Sequence, residues 1–365
     1  MAVLKKIVVK DFRNIAFQEL TFSPNVNCIS GNNGEGKTNL LDAIYYLSMT
    51  KSALAPSDRM NIRYGEKEFQ IGGLYTLPDA LEERFSVRVT DAGEKKVLRG
   101  EKAYGRISDH IGVLPVVMVS PGDGSLVSES GAERRRFLNA VLSQTDRRYL
   151  SAIQQYNRLL QQRNVLLKDG SADPALLEII DERMEAAGRP VYEARRRFAE
   201  DLGPIVSKFY GLISGGSEQV GIEYTSDLSG GSLSDILRSH QEKDRIFRYT
   251  TAGLQRDDLI FKMNGHPIRR AGSQGQQKSF LVALKFAEYD LMRRGEAAAP
   301  LLLLDDVFDK LDLGRISNLI SMVTGSAFSQ IFITDCDPVR LRKLVDGITD
   351  DRAYFSAEGG CFQSI

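Results

Sequence analysis

The sequence predicts an α/β fold, with a core built on a mixed β-sheet and a mainly helical second lobe that carries an arm. Three observations predict it. A glycine-rich loop lies between a short apolar strand and a helix near the start of the chain, an apolar strand ends in two aspartates near its end, and a long helical stretch separates them. At 365 residues, the chain is long enough to bury two lobes.

The glycine-rich loop has the pattern of a P-loop. Residues 26–29 are predicted to form the strand before it and residues 37–47 the helix after it; the loop itself is Gly31-Asn32-Asn33-Gly34-Glu35-Gly36-Lys37-Thr38. In a P-loop the backbone amides turn toward phosphates, so Lys37 is expected to reach the β- and γ-phosphates and the Thr38 hydroxyl to ligate Mg²⁺. The positive end of the helix adds to the attraction. A chance glycine-rich turn is the alternative.

The second half of the predicted site follows an apolar run over residues 301–304, which ends in Asp305 and Asp306. Such a run is typical of a buried parallel strand that delivers acids at its C-terminal end. We expect Asp305 to hold Mg²⁺ through water and Asp306, as the catalytic residue, to orient or deprotonate the attacking water. A plain strand end is the alternative for this pattern taken alone.

Between these halves, strand and helix patterns succeed one another. Strands are predicted over residues 6–9, 70–75, 84–89 and 116–119, and helices over residues 132–168 and 174–213. If the first helix is continuous, it extends for roughly 50 Å, and Gly203-Pro204 is expected to kink or interrupt the second. The predicted lobes are a core of residues 1–119 and 297–365 and a second lobe of residues 120–296, with the arm at about 132–213.

Composition limits the classes of function. Lys plus Arg and Asp plus Glu are both 48, so a nucleic-acid surface has to come from local patches. The candidate patches are Arg134-Arg135-Arg136, Arg147-Arg148, Arg195-Arg196-Arg197 and Arg269-Arg270. The alternative is that these charges are solvated helix faces or partners of Glu133, Glu193 and Glu200.

Cysteine usage and hydropathy bear on the compartment. Three widely spaced cysteines fit a reducing compartment better than a disulfide framework. The start of the chain lacks the apolar stretch of a secretory signal, and the longest apolar run, at residues 297–304, is far too short for a bilayer. We therefore expect a cytoplasmic protein with no membrane partner.

Ser273-Gln274-Gly275-Gln276-Gln277 resembles the signature sequence of ABC-type ATPases. It precedes a predicted helix over residues 278–294. In that superfamily the signature serine and glycine cap the γ-phosphate bound by the other subunit, so the resemblance implies an ATP-dependent homodimer. Ser273 as an ordinary cap of a polar helix N-terminus is the alternative.

The motifs taken together resemble the RecF family of bacterial recombination-mediator ATPases over essentially the whole chain. Beside the P-loop and the signature, the matching segments are Asp11-Phe12-Arg13-Asn14-Ile15, Lys51-Ser52, Arg134 to Asn139, Arg256-Asp257-Asp258-Leu259 and Leu303 to Asp312. The resemblance implies an ABC-type ATPase head with a helical arm, weak DNA-stimulated ATP hydrolysis, and binding to gapped, single-stranded and double-stranded DNA. It also implies a RecR-type mediator protein as partner and roles in recombinase loading and SOS induction.

The same resemblance assigns further residue roles. Arg13 and Asn14 would lie near the bound ATP, and Ser273, Gly275, Gln276 and Asp312 would act across the dimer. Thr334 stands where most ABC ATPases have histidine, and Asp306 stands where most have glutamate. A scaffold that binds ATP without hydrolysing it, because Asp306 is too short, remains open. An overcoming-lysogenization-type ATPase with a nuclease would need a longer C-terminal segment than this chain has.

Overall fold

The structure is a computed structural model that describes residues 2–129, 131–169, 173–216, 218–295, 299–309, 311–323, 328–346 and 349–365. The strands are β1 (Val3–Phe12), β2 (Ile15–Thr21), β3 (Val26–Ser30), β4 (Glu68–Thr76), β5 (Glu82–Thr90), β6 (Lys95–Arg99), β7 (Lys102–Ala103), β8 (Val116–Val119), β9 (Val220–Thr225), β10 (Asp258–Met263), β11 (His266–Pro267), β12 (Leu301–Asp305), β13 (Ile331–Asp335), β14 (Arg352–Glu358) and β15 (Cys361–Ser364).

The α-helices are α1 (Lys37–Met49), α2 (Gly124–Ser128), α3 (Gly131–Thr145), α4 (Arg147–Asp169), α5 (Pro174–Ser214), α6 (Leu233–Ser239), α7 (Gln241–Phe247), α8 (Ile268–Ala271), α9 (Gln274–Arg294), α10 (Leu313–Val323) and α11 (Pro338–Val345). Part of the turn before α5, at residues 170–172, lies outside the described residues. So do residue 297, where a lobe boundary was predicted, and Lys310 of the C-terminal motif.

Chain contacts divide the protein into two compact units. The first comprises the chain up to Gly124, Leu212–Gly216 and Gln274–Ile365; the second comprises Ser125–Gly211 and Ser217–Ser273. The predicted second lobe, residues 120–296, differs from this division because α9 belongs to the first unit. Most apolar residues of α9 are buried, and the helix contacts β8 in that unit.

The first unit contains an antiparallel sheet in the order β2-β1-β4-β5-β6-β7. Its strands alternate between the two faces, as expected for a sheet that is buried on one side only. In β5, for example, Phe85, Val87 and Val89 are buried while Ser86 and Arg88 are not. The strands predicted at residues 70–75 and 84–89 lie in this sheet.

The first unit also contains the mixed sheet, in the order β15-β14-β3-β13-β12-β8. Strands β14 to β8 are parallel to their neighbours, and only β15 is antiparallel. All residues of β3, β12 and β13 are buried, which explains their mainly apolar sequences. Parallel strands end at one edge of the sheet, so the loop after β3 and the two acids at the end of β12 are brought together there.

The second unit is mainly helical, with a small antiparallel sheet in the order β11-β10-β9. The prediction of one continuous helix over residues 132–168 is wrong, because α3 ends at Thr145 and α4 begins at Arg147. The side chain of Asp146 accepts a hydrogen bond from the Arg148 amide at 2.7 Å. An aspartate in this role starts a new helix rather than continuing the old one, and the 23 residues of α4 extend for only about 35 Å.

Helix α5 continues for 41 residues and contains both Pro190 and Pro204. The predicted interruption at Gly203-Pro204 is therefore not seen. Leu202 and Val206 on either side of Pro204 are fully buried, and this packing outweighs the hydrogen bond that proline removes. Among the described residues, no helix is long and apolar enough to cross a membrane.

Candidate nucleotide site

The loop between β3 and α1 needs its glycines for two different reasons. Gly34 and Gly36 have φ angles of +89° and +100°, and a Cβ on Gly36 would lie 2.7 Å from the side-chain nitrogen of Asn14. Position 31 has to be glycine because a neighbouring strand approaches closely: a Cβ there would overlap the carbonyl oxygen of Ala357 on β14. The loop is thus shaped by backbone conformation at Gly34 and Gly36 and by close approach of a neighbouring strand at Gly31.

Lys37 is the first residue of α1 and is only 7% exposed. Its Nζ donates hydrogen bonds to the carbonyl oxygens of Gly31 at 2.6 Å and Asn32 at 2.8 Å. The ammonium group is therefore held against the glycine-rich loop by the loop itself. An anionic ligand in the loop is a stronger partner for this ammonium than two neutral carbonyls.

Residues that are far apart in the sequence meet at the edge of the mixed sheet. Thr38 Oγ1 donates to Asp305 Oδ2 at 2.8 Å, across 267 positions of sequence. Thr334 Oγ1, at the end of β13, donates to Asp305 Oδ1 at 2.6 Å and accepts from the Asp306 amide at 3.1 Å. One continuous chain of hydrogen bonds therefore links the P-loop threonine to both aspartates, with Thr334 as the connecting residue.

The electrostatics of Asp305 favour a cation beside it. The residue is 1% exposed, and burial raises the pKa of its carboxyl above the ordinary value, more than hydrogen bonds from Thr334 and Thr38 lower it. The charge of Asp306 raises it further. A divalent cation would offset this penalty, and the Thr38 hydroxyl and Asp305 carboxylate are the hard oxygen ligands that Mg²⁺ takes. The residues present thus fit a magnesium site.

Asp306 has an unusual backbone conformation, with φ at +48°. This left-handed conformation is costly for an aspartate, by about 1–3 kcal/mol. Two hydrogen bonds hold it: the amide donates to Thr334, and the carbonyl accepts from Lys278 Nζ at 3.3 Å. Strain that is held by neighbouring groups is typical of functional sites.

Arg13 and Asn14 lie beside the P-loop but in different roles. Arg13 forms an ion pair with the buried Asp42 at 2.9 Å and donates to the Asn39 side chain at 3.0 Å. Asn14 accepts from Asn39 at 2.7 Å and borders Gly36. Burial raises the pKa of Asp42 despite hydrogen bonding by Ser52 and the charge of Arg13. Arg13 thus contacts side chains of α1, whereas Asn14 adjoins the glycine-rich loop directly.

The signature segment is joined to the segment around Asp312 by a residue that the sequence did not point out. Ser273 is exposed, and α9 begins one residue later. The carbonyl of Gly275 accepts from Arg315 at 3.2 Å, and Arg315 also pairs with Asp312 at 3.1 Å. The only sequence signal for Arg315 is its position three residues after Asp312 at the start of a helix. Gln276, the remaining predicted signature residue, is half-buried in the first turn of α9.

The arginine clusters divide into buried and exposed residues. In the second unit Arg134 pairs with Asp258 and Arg195 with Asp257, and both arginines are buried. Three surface arginines form ion pairs with glutamates three or four residues away on the same helix, as the alternative in the sequence analysis expected. The pairs are Arg136 with Glu133, Arg196 with Glu200 and Arg197 with Glu193. Within the predicted clusters, four arginines are exposed and form no ion pair with any described residue: Arg147, Arg148, Arg269 and Arg270.

Residues 3–70 match the RecF/RecN/SMC N terminal domain family. Proteins from Bacteroides fragilis and Parabacteroides distasonis, both named DNA replication and repair protein RecF, are 41% and 42% identical to this chain over 364 and 363 residues. The alignments cover 100% of this chain and 98% and 99% of those proteins. The chain belongs to the RecF family.

Solved structures agree with this assignment. A RecF structure described as the recombination mediator protein RecF-ATP in the RecFOR pathway has a TM-score of 0.89 and 29% identity, covering 100% of this chain and 98% of that one. An Smc head domain from Pyrococcus furiosus has a TM-score of 0.60 at 17% identity, which shows a shared fold. The predicted fold class, an ABC-type ATPase head with a mainly helical second lobe and arm, and the resemblance to the RecF family are both confirmed.

Proposed function

We propose that this RecF-family protein is an ATP-dependent DNA-binding protein of recombinational repair and replication restart, and that two copies close on DNA when ATP is bound. The observation that carries the proposal is the hydrogen-bonded chain from Thr38 through Asp305 and Thr334 to Asp306. It joins a P-loop to two acids in the arrangement that phosphoryl transfer requires. Relatives that align over the whole of this chain and are named DNA replication and repair protein RecF support the biological setting.

Nucleotide binding would use groups that already face the loop. The amides between Gly31 and Thr38 would cradle phosphate oxygens, and Lys37 would exchange the carbonyls of Gly31 and Asn32 for phosphate. Thr38 and Asp305 would hold Mg²⁺, which supplies neutralisation of phosphate charge when bound. A solved relative described as RecF-ATP supports ATP as the nucleotide.

In hydrolysis Asp306 would orient water and accept its proton while the water oxygen bonds to the γ-phosphorus and the β–γ bridging bond breaks, giving ADP and phosphate. Thr334 and Lys278 hold the backbone of Asp306 for this task. An aspartate reaches one methylene less far than the glutamate of most ABC ATPases. We therefore expect slow turnover, as suits a switch rather than a motor.

Dimerisation would complete the site. Ser273, Gly275 and Gln276 of one copy would contact the nucleotide held by the other, and Arg315 would connect this contact to Asp312. Exposed arginines of the second unit would contact the phosphates of gapped, single-stranded or double-stranded DNA. They are Arg147, Arg148, Arg269 and Arg270. The RecFOR pathway of the solved relative supports a RecR-type mediator protein as partner, with recombinase loading and SOS induction as the outcomes.

The decisive experiment measures molecular mass in solution with and without ATP and gapped DNA. We expect a monomer alone and a dimer with ATP. Ser273→Arg should still bind ATP, because Ser273 is exposed and outside the P-loop, but should neither dimerise nor hydrolyse it. Ser239→Arg, at another exposed serine, is the matched control and should behave as wild type. Dimerisation of Ser273→Arg with ATP would contradict the trans-acting signature, and a wild-type dimer without turnover would favour a non-catalytic scaffold.

A further inference from the structure

The second unit exposes two aromatic rings among basic residues at the end of α7. The residues are Arg245, Ile246, Phe247, Arg248 and Tyr249, here called the aromatic segment. The side chains of Ile246, Phe247 and Tyr249 are 77%, 53% and 48% exposed, and the two ring centroids lie 6.0 Å apart. Exposed apolar side chains that cluster in this way are a feature of binding surfaces.

The aromatic segment is anchored at both ends by buried polar contacts. Before it, the fully buried Asp244 accepts from Arg163 and from the amide and hydroxyl of Thr251 at 2.8 and 2.6 Å. After it, the amide and hydroxyl of Thr250 donate to the Asn164 side chain at 2.7 and 2.8 Å. The rings are therefore presented to solvent by a fixed backbone, which lowers the entropy cost of binding.

The charge around the rings favours a polyanion. Lys243, Arg245 and Arg248 are exposed, and none forms an ion pair with a described acidic residue. Glu242 is the one exposed acid among residues 241–249 as the structure describes them. Two rings bordered by three such cations can stack unpaired bases and neutralise the phosphates between them. A duplex keeps its base faces covered, so the rings fit single strands.

We propose that Phe247 and Tyr249 form a base-stacking site for a single-stranded nucleic acid, with Arg245 and Arg248 contacting its phosphates. This inference rests on the proposed DNA binding and deepens it by giving the single strand a specific surface. It also separates this surface from the exposed arginine pairs at residues 147–148 and 269–270, which carry charge without a neighbouring exposed aromatic ring in the same run of sequence.

The first test uses the absence of tryptophan from the chain. Phe247→Trp places a single tryptophan in the aromatic segment, and Phe17→Trp places one at another exposed ring, 60% exposed on β2. Titration with a 20-residue oligo(dT) should quench the emission of Phe247→Trp and leave that of Phe17→Trp unchanged. Equal quenching of both, or of neither while the oligonucleotide binds, would overturn the proposal.

The second test measures affinity for oligo(dT) and for a blunt duplex at matched salt. Phe247→Ala with Tyr249→Ala should weaken oligo(dT) binding about 5- to 150-fold for each stacked base lost, with duplex binding and its salt dependence unchanged. Phe17→Ala, which removes an exposed ring outside the aromatic segment, is the matched control and should bind as wild type.

The outcomes separate the two proposals. Unchanged oligo(dT) affinity in the double variant overturns the stacking site while the proposed DNA binding stands. If the double variant loses binding to a protein partner but keeps its affinity for oligo(dT), the stacking site is also overturned, and the aromatic segment is a protein-docking surface instead. Failure of the wild-type protein to bind any DNA, with ATP present, overturns the proposed function and the stacking site together.

Discussion

At the scale of single residues, Thr334 shows how one hydroxyl can organise a site. It is completely buried and stands where most ABC ATPases have histidine. Its oxygen donates to Asp305 and accepts from the amide of Asp306. This threonine therefore links Asp305, the proposed magnesium ligand, to the backbone of Asp306, the proposed catalytic residue.

Thr334→Val tests this role because valine keeps the shape and removes the hydroxyl. Asp305 would then keep only the Thr38 hydrogen bond, and the Asp306 amide would lose its acceptor. We expect ATP hydrolysis to fall about 10- to 100-fold through misplacement of Asp306, with a smaller change in ATP affinity. Thr334→Ser should restore turnover; single-turnover hydrolysis and nucleotide titration provide the measurements. A valine variant with wild-type turnover would show that Thr334 is only a packing residue.

At the scale of elements, α9 packs a charged pair into the interior of the first unit. Lys285 and Glu288 are buried with their charged atoms 3.3 Å apart. Burial raises the pKa of Glu288 to about 7, more than Lys285 lowers it, and Asp123 raises it further. Burial disfavours the Lys285 charge, but Glu288 and Asp123 hold its pKa above the ordinary value. Helix α9 thus carries a buried carboxyl whose pKa lies near neutral pH.

Glu288→Gln should change how stability depends on pH. The folded protein keeps a proton on Glu288 that an unfolded chain releases above pH 4.5, because the folded pKa is about 7. This group therefore stabilises the fold below about pH 4.5, and its contribution is lost as pH rises to about 7, by up to about 3 kcal/mol. Urea unfolding of the first unit at pH 5, 6, 7 and 8 should show a shallower decline for Glu288→Gln than for wild type.

The exposed Glu200 supplies the control for that comparison. It pairs with Arg196 on the surface of α5, where an ion pair contributes little to stability. Glu200→Gln should follow the wild-type pH dependence. The same slope in Glu288→Gln and wild type would mean that Glu288 is ionised throughout this range.

At the scale of the whole molecule, the arginines of one predicted cluster do not share one role: some stabilise the fold and others lie on the surface. Arg195 donates to Asp257, to the Leu254 carbonyl at 3.0 Å and to Asn139 at 3.0 Å, all within the second unit. Its neighbour Arg196 lies on the surface and pairs with Glu200. Neighbouring arginines of one cluster therefore differ in role, and only the exposed ones can take part in the proposed DNA binding.

Arg195→Met should destabilise the second unit by about 3–5 kcal/mol, because it leaves Asp257 buried without its charge partner. Arg196→Met is the matched control and should change the unfolding free energy by no more than about 1 kcal/mol. Chemical denaturation followed by far-ultraviolet circular dichroism provides the measurement. Equal stability of the two variants would show that the buried pair adds nothing to the fold.

Much of the candidate nucleotide site could be predicted from the sequence. The glycines, Lys37 and Thr38 form one short local motif, and an apolar strand followed by acids has a simple geometric consequence in a parallel sheet. Arg315 and the bridging role of Thr334 could not be predicted in the same way. Their partners, Gly275 and Asp305, are distant in sequence, so only the folded chain brings them within hydrogen-bonding distance.

The sequence alone determined the α/β fold class, the family and the two halves of the candidate site, because these depend on local patterns of burial and backbone turning. The tertiary structure decided where the helical stretch breaks at Asp146, how α5 continues through Pro204, and which arginines are buried. Each of these outcomes is a balance between a local preference and packing against distant residues. A short segment of sequence cannot show this balance, because the packing partners are far away along the chain.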